Sequence, residues 1–174
     1  GVTRVAAIGV VRRAEDLHRT LDLARDHAGV VSTVGVHPHD ARFADDALLA
    51  DLERVAGDDA VVALGEMGLD YHYTRSPQDV QRRVFRQQLQ MAQRVGRPVV
   101  LHLREATDDA LRILRDEGLP AAGGIVHCYS EGPDPLDDFL DLGLHIAFSG
   151  IVTFPAAEPL RVAARRVPDD RLLV

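Results

Sequence analysis

The chain has 174 residues, 46% of them hydrophobic and 27% charged, with a formal net charge of −7. That length holds one domain with a sizeable core but falls short of the roughly 250 residues usual for a complete (β/α)8 barrel. The acidic balance argues against sequence-independent coating of DNA, where phosphate neutralisation dominates affinity, although metal ions and a few arginines can supply positive charge locally.

In chain order, short β-branched runs alternate with amphipathic stretches. Val2–Val11 reads as a strand. Ala14–Ala28 places Leu17, Leu21, Ala24 and Ala28 at helical spacing, with Gly29 as a stop. Val30–Val36 is a second strand, Asp45–Ala56 a helix and Ala60–Gly65 a third strand. The next helix has Ser76 as a cap, Pro77 in its first turn and Asp79 near its positive end. Val80, Val84, Leu89, Ala92 and Val95 form its apolar stripe, and Gly96 ends it. Pro98–Leu103 is a fourth strand, Thr107–Glu117 a helix, Gly124–Cys128 a fifth strand and Pro135–Leu142 a short helix. Leu144–Ser149 is a sixth strand, Glu158–Arg166 a helix and Arg171–Val174 the start of a seventh strand. Near-continuous apolar strands separated by helices imply parallel strands buried on both faces. With no switch in the pattern, an α/β barrel is favoured over a doubly wound sheet.

No apolar run approaches the roughly 20 residues that cross a bilayer. The apolar start lacks a basic leader and a cleavage site. The single cysteine, Cys128, leaves no internal disulfide and fits a reducing, cytoplasmic compartment. Strand alternation after His127 puts Cys128 on the face turned to a helix, as a small core residue. All basic residues are Arg.

Three polar residues stand where buried strands end: Glu66 in VVALGEMGLD, His102 in PVVLHLRE and His127 in GIVHCYS. The C-terminal ends of barrel strands converge on one face, where enzyme sites form. Two imidazoles and a carboxylate make a suitable site for a first-row metal that activates water. A lone strand histidine is more often a satisfied core or surface residue, so the weight falls on the coincidence of three equivalent positions.

GVHPHDA at 35–41, GEMGLDY at 65–71, PVVLHLREA at 98–106, HCYS at 127–130 and FSGIVTF at 148–154 resemble the TatD family of metal-dependent deoxyribonucleases. The motifs occur in the family's order. The resemblance implies a TIM barrel of the amidohydrolase-like group that hydrolyses phosphodiesters with divalent metals. It implies Glu66 as a metal-bridging or metal-binding carboxylate and His102 and His127 as the histidines of one metal position. It implies His37 as an active-site histidine near the scissile phosphate, and Asp70 and Tyr71 as pocket residues. Arg104 is placed to hold a substrate phosphate. His39 and His72 are loop histidines that can border the pocket; His18, His27 and His145 carry no assigned role.

Two family motifs are absent: an N-terminal His-x-His, and a Glu-Thr-Asp that normally follows the terminal RLLV. A glycine usual after HCYS is replaced by Glu131. The chain therefore reads as a barrel lacking both ends, with part of a site for two ions of the Mg, Mn or Zn type. The implied substrate is a DNA end, or RNA, cut most simply from the 3′ side. Two alternatives stay open: a metal-dependent ester or amide hydrolase such as an aminoacyl-tRNA deacylase, and a truncated, non-catalytic interaction domain.

Overall fold

The computed structural model describes residues 2–174. Seven parallel strands run side by side in chain order. They are β1 (Val5–Ala7), β2 (Val30–Val34), β3 (Val61–Asp70), β4 (Val99–Arg104), β5 (Gly124–His127), β6 (His145–Ala147) and β7 (Leu172–Leu173). A helix fills every connection: α1 (Arg19–Asp26), α2 (Asp46–Ala56), α3 (Gln78–Val95), α4 (Thr107–Glu117), α5 (Leu136–Asp141) and α6 (Glu158–Arg166). A doubly wound sheet would reverse its order at a switch point. This one never does, and it curls as a half-barrel of the TIM type. Among the described residues, no helix is long and apolar enough to cross a membrane.

The core lies between the outer face of the sheet and the helices. Leu64, Met67, Leu69, Leu101 and Leu103 from β3 and β4 join Leu52, Val84, Leu89, Leu114 and Phe139 from the helices in one buried cluster. The α3 stripe packs as its spacing predicts, with Val84, Leu89 and Ala92 buried and Val80 and Val95 at its margin. Gly96 closes the helix in the left-handed region.

Several boundaries differ from the sequence reading, each for a local reason. The first strand stops at Ala7 because the Gly9 amide turns to the Thr33 hydroxyl at 3.2 Å. The first helix splits into a 3-10 turn (Ala14–Asp16) and α1, since the Asp16 carboxylate folds back onto the Arg12 and Arg13 amides. The second strand stops short of Val36, whose amide and carbonyl are taken by the Gln88 side chain. Ser76 does not cap α3; its buried hydroxyl donates to the His39 carbonyl and accepts from the Arg42 amide.

The largest difference decides the site. β3 does not end at Gly65 but continues to Asp70. Between Leu64 and Met67 it carries one residue more than β4, which spans the same step from Val99 to Leu101. Such a bulge re-aims a side chain. Beyond it Met67 and Leu69 are fully buried, while Gly68 pairs with His102 and Asp70 with Arg104. Paired residues of parallel strands share a face, so Gly68 and Asp70 lie on the side of His102 and Arg104.

Gly68 sits at φ +139°, and a Cβ there would lie 2.1 Å from the His102 carbonyl oxygen. Gly96, at φ +69°, has nothing within 4 Å of a built Cβ. Replacing each by alanine separates backbone strain from steric exclusion. Gly96→Ala is expected to cost about 1 kcal/mol and Gly68→Ala more than about 3 kcal/mol in urea denaturation. Equal costs would mean that the close approach of β3 to β4 contributes nothing.

Candidate metal centre

The centre is assembled from the exits of β2, β3 and β4. His37 leaves β2 in extended conformation and opens the 3-10 turn Pro38–Phe43. Its position is set from behind by Gln88 of α3, which accepts from the Val36 amide at 2.8 Å and donates to the Val36 carbonyl at 3.0 Å. His37 Nδ1 accepts the His39 amide at 3.1 Å. Burial, reinforced by the neighbouring His102, lowers the His37 pKa to about 4. The ring is therefore neutral at pH 7, and with Nδ1 an acceptor its proton is on Nε2.

Glu66, at the bulge, faces His102 on β4, with Oε1 3.3 Å from Nδ1. The other face of the same imidazole meets Asp70, with Nε2 2.9 Å from Oδ2. Gly68 lies between Glu66 and Asp70 in sequence and beside His102 in register, so no side chain separates the ring from either carboxylate. His39 adds a second imidazole to Asp70, Nε2 to Oδ2 at 2.9 Å. The Tyr73 amide donates to the other Asp70 oxygen at 2.8 Å, and the Asp70 amide donates to Gln81 of α3 at 2.8 Å.

The charges follow from these contacts. Burial disfavours an imidazolium at His102, but the two carboxylates outweigh it and hold its pKa above the ordinary value. Burial likewise pushes the Glu66 and Asp70 carboxyls up. Hydrogen bonds and charge from His102 pull Glu66 lower, helped by His37 and His127. The Tyr73 amide, His102 and His39 do the same for Asp70. The donors form two groupings whose atoms lie within 4.8 Å of one another, His37–Glu66–His102 and His39–Asp70–His102. Neutral imidazole and carboxylate at that spacing suit a divalent first-row ion.

The remaining predicted residues are distributed around this core. His127 pairs in register with His102 on the next strand but stands outside both groupings; its Nε2 lies 3.2 Å from Cys128 Sγ. Cys128 is not on the helix-facing side. It has φ +51°, which breaks the alternation, and it lines a cavity of about 490 Å³ with His102, Arg104, His127 and Ser149. Arg104 lies over the Tyr73 ring, its guanidinium carbon 4.9 Å from the centroid.

Asp70, expected as a pocket residue, is fully buried, with its oxygens committed to His39, His102 and Tyr73. Tyr71 turns away too. Its hydroxyl donates to Asp109 of α4 at 2.6 Å and accepts from Arg82 of α3 at 3.0 Å. Sequence reasoning missed His39 as a member of the cluster, and Gln81 and Gln88 as its supports. The available signal was two glutamines seven residues apart within the apolar stripe of α3.

The profile of the family described as TatD related DNase matches residues 1–174, the whole chain. The chain belongs to the TatD-related family. Among relatives of this TatD-related chain, an uncharacterized metal-dependent hydrolase of Escherichia coli strain K12, YcfH, is 46% identical over 153 residues. That match covers 88% of the chain and 57% of YcfH. A protein of Edwardsiella piscicida named 3′-5′ ssDNA/RNA exonuclease TatD is 40% identical, over 82% of the chain and 55% of the relative. The chain thus spans little more than half the length of these two proteins. The crystal structure of YjjV, a TatD homologue from Escherichia coli K12, superposes with a TM-score of 0.92 at 30% identity. It covers 100% of the chain and 67% of YjjV. A phosphotriesterase homology protein from Escherichia coli, at 17% identity and a TM-score of 0.68, shares the fold.

Within the TatD-related chain, the Asp70 contact generates one expectation. Asp70→Asn keeps the shape but removes the charge that orients two imidazoles. Calorimetric titration with Mn²⁺ or Zn²⁺ should show affinity reduced roughly 10- to 100-fold; unchanged affinity would remove Asp70 from the centre. A second concerns pH. Hydrogen bonds from Tyr71, then Arg112 and Arg82, lower the Asp109 pKa to about 2. A depressed carboxyl stabilises the fold above its unfolded pKa, about 3.9, and loses that contribution as pH falls through the folded value. Asp109→Asn should therefore cost about 1 kcal/mol near pH 6. The gap from wild type should close as pH falls from 4 toward 2 in urea denaturation; a gap independent of pH would show that charge is not the cause.

Proposed function

We propose that the full-length protein is a divalent-metal-dependent phosphodiesterase that trims nucleic acid from an end, most simply the 3′ end of a single strand. The observation that carries this reading is the convergence of Glu66 and His102 with further imidazoles at one end of a parallel half-barrel. The activity named for the Edwardsiella relative supports the substrate class.

In this reading Glu66 and His102 hold the cation. His127, beside His102 across the β4–β5 register, supplies the third donor. The full-length protein uses two such ions, of the Mg, Mn or Zn type. When bound, they polarise the phosphoryl group and acidify water. His102 would offer an ion Nδ1, the nitrogen facing Glu66, with its Nε2–H held on Asp70. Asp70 is thus a positioning residue and not a substrate contact, and Tyr71 joins α3 and α4 through Arg82 and Asp109.

His37 is better suited to substrate than to metal. Its Nδ1 is occupied by the His39 amide, and the neutral ring leaves Nε2–H as a donor toward a phosphoryl oxygen. Arg104 supplies a fixed positive charge for developing phosphoryl charge, its plane steadied by Tyr73.

The test uses the full-length protein with Mn²⁺ on end-labelled single-stranded DNA. Glu66→Ala should lower cleavage by roughly 10²-fold or more. Equal cleavage by both proteins would end the proposal, and faster hydrolysis of an aminoacyl ester would move the substrate to a carboxyl ester. His37→Ala should lower kcat with Mn²⁺ affinity intact; a parallel loss of affinity would make His37 a ligand.

A further inference from the structure

Most of the twenty arginines are neutralised by a carboxylate. Seven have no such partner among the described residues, and three of these, Arg42, Arg75 and Arg104, gather at two exposed aromatic rings. Tyr73 is 51% exposed and Phe43 38% exposed. The guanidinium carbons of Arg104 and Arg75 lie 4.9 and 5.5 Å from the Tyr73 centroid. Those of Arg12 and Arg42 lie 4.5 and 4.7 Å from the Phe43 centroid. The two rings are joined through Arg42, whose side chain donates to the Arg75 carbonyl at 2.5 Å.

This row begins at the metal centre. Tyr73 stands edge-on to His39 at 5.5 Å, and His39 stands edge-on to His37 at 4.5 Å. It ends in a surface groove of about 590 Å³ lined by Phe43, Arg12, Arg13 and Arg19 together with Asp16 and Asp40. Arg12 also faces Asp40 at 3.6 Å, so the positive charge is strongest at the Tyr73 end. In a chain of net charge −7, guanidiniums without a carboxylate partner thus cluster at two exposed rings.

We propose that Tyr73 and Phe43 are base-stacking platforms that hold a single-stranded polynucleotide leading into the centre, with Arg42, Arg75 and Arg104 on its phosphates. Aromatic faces accept any base, and guanidinium groups accept the backbone between them. An acidic peptide would use the guanidiniums but leave the rings without a purpose. The inference rests on the nucleic-acid reading of the centre and adds which residues grip the strand beyond the scissile bond.

Binding is measured by fluorescence anisotropy with labelled oligothymidylate in EDTA, so cleavage has no bearing on the result. An abasic oligomer of equal length and charge is the second probe. Tyr73→Ala and Phe43→Ala should each weaken oligothymidylate binding at least about fivefold and leave the abasic oligomer within about twofold of wild type. Tyr73→Phe should bind oligothymidylate as wild type does, and Arg75→Gln should weaken both probes with a shallower salt dependence. The proposal is overturned if wild type does not bind oligothymidylate or if ring removal weakens both probes equally. It is also overturned if Tyr73→Phe loses as much as Tyr73→Ala, or if a polyglutamate peptide competes as well as the oligomer. Tight binding without cleavage by the full-length protein would overturn the phosphodiesterase reading and leave the strand track standing.

Discussion

A single surplus residue in β3 organises the chemistry. Parallel strands hold their register through evenly spaced hydrogen bonds, and one strand can exceed its neighbour only by bulging. The surplus falls between Leu64 and Met67, where Glu66 lies. After it, Met67 and Leu69 return to the core, Asp70 shares the face of Arg104, and Gly68 leaves His102 open to both carboxylates. Were the same residues threaded through regular alternation with no bulge, the faces beyond Leu64 would be inverted. Hydrophobic Met67 and Leu69 would face the lumen, and the Asp70 carboxylate would be pressed into a helix-covered core at a prohibitive desolvation cost.

The second constraint comes from outside the sheet. Gln88 takes both polar groups of Val36 where β2 lets go, and Gln81 accepts the Asp70 amide and donates to the Asp70 and Ser76 carbonyls. Both glutamines are fully buried. Leaving such backbone groups unpaired would cost on the order of 1–3 kcal/mol each. One helix therefore fixes two adjacent strand exits, and with them His37, His39 and Asp70, through bonds that tolerate little displacement. The two histidines shift in opposite directions for the same reason of placement. His102 is flanked by two carboxylates, whereas His37 is buried beside another imidazole.

The alternation of strands and helices was legible because buried parallel strands are continuous apolar runs and the helices carry clear stripes. α4 and α6 match their predicted ranges. Glu66 and His102 were legible as polar residues interrupting such runs. What stayed hidden depended on path. The third strand reads as ending at Gly65, yet MGLD continues it to Asp70. His39 lies in a 3-10 turn whose direction no periodicity encodes. Cys128 broke the alternation argument because its backbone leaves the extended region at φ +51°. Gln81 and Gln88 were visible as polar residues within an apolar stripe, but their partners are 11 and 52 residues away.

Glu131, the departure from the usual glycine, ties down the segment that leads into α4. Its carboxylate accepts the Glu105 amide at 3.0 Å and the Thr107 hydroxyl at 3.1 Å. Helix beginnings present free amides and partial positive charge, which in many proteins anchor phosphate. Here Glu131 places a resident carboxylate just ahead of α4, on the wall of the cavity it shares with Arg104 and His127, where it would repel a second anion. Under the proposed function, a phosphate entering that cavity would therefore meet the Arg104 guanidinium rather than the amides that open α4.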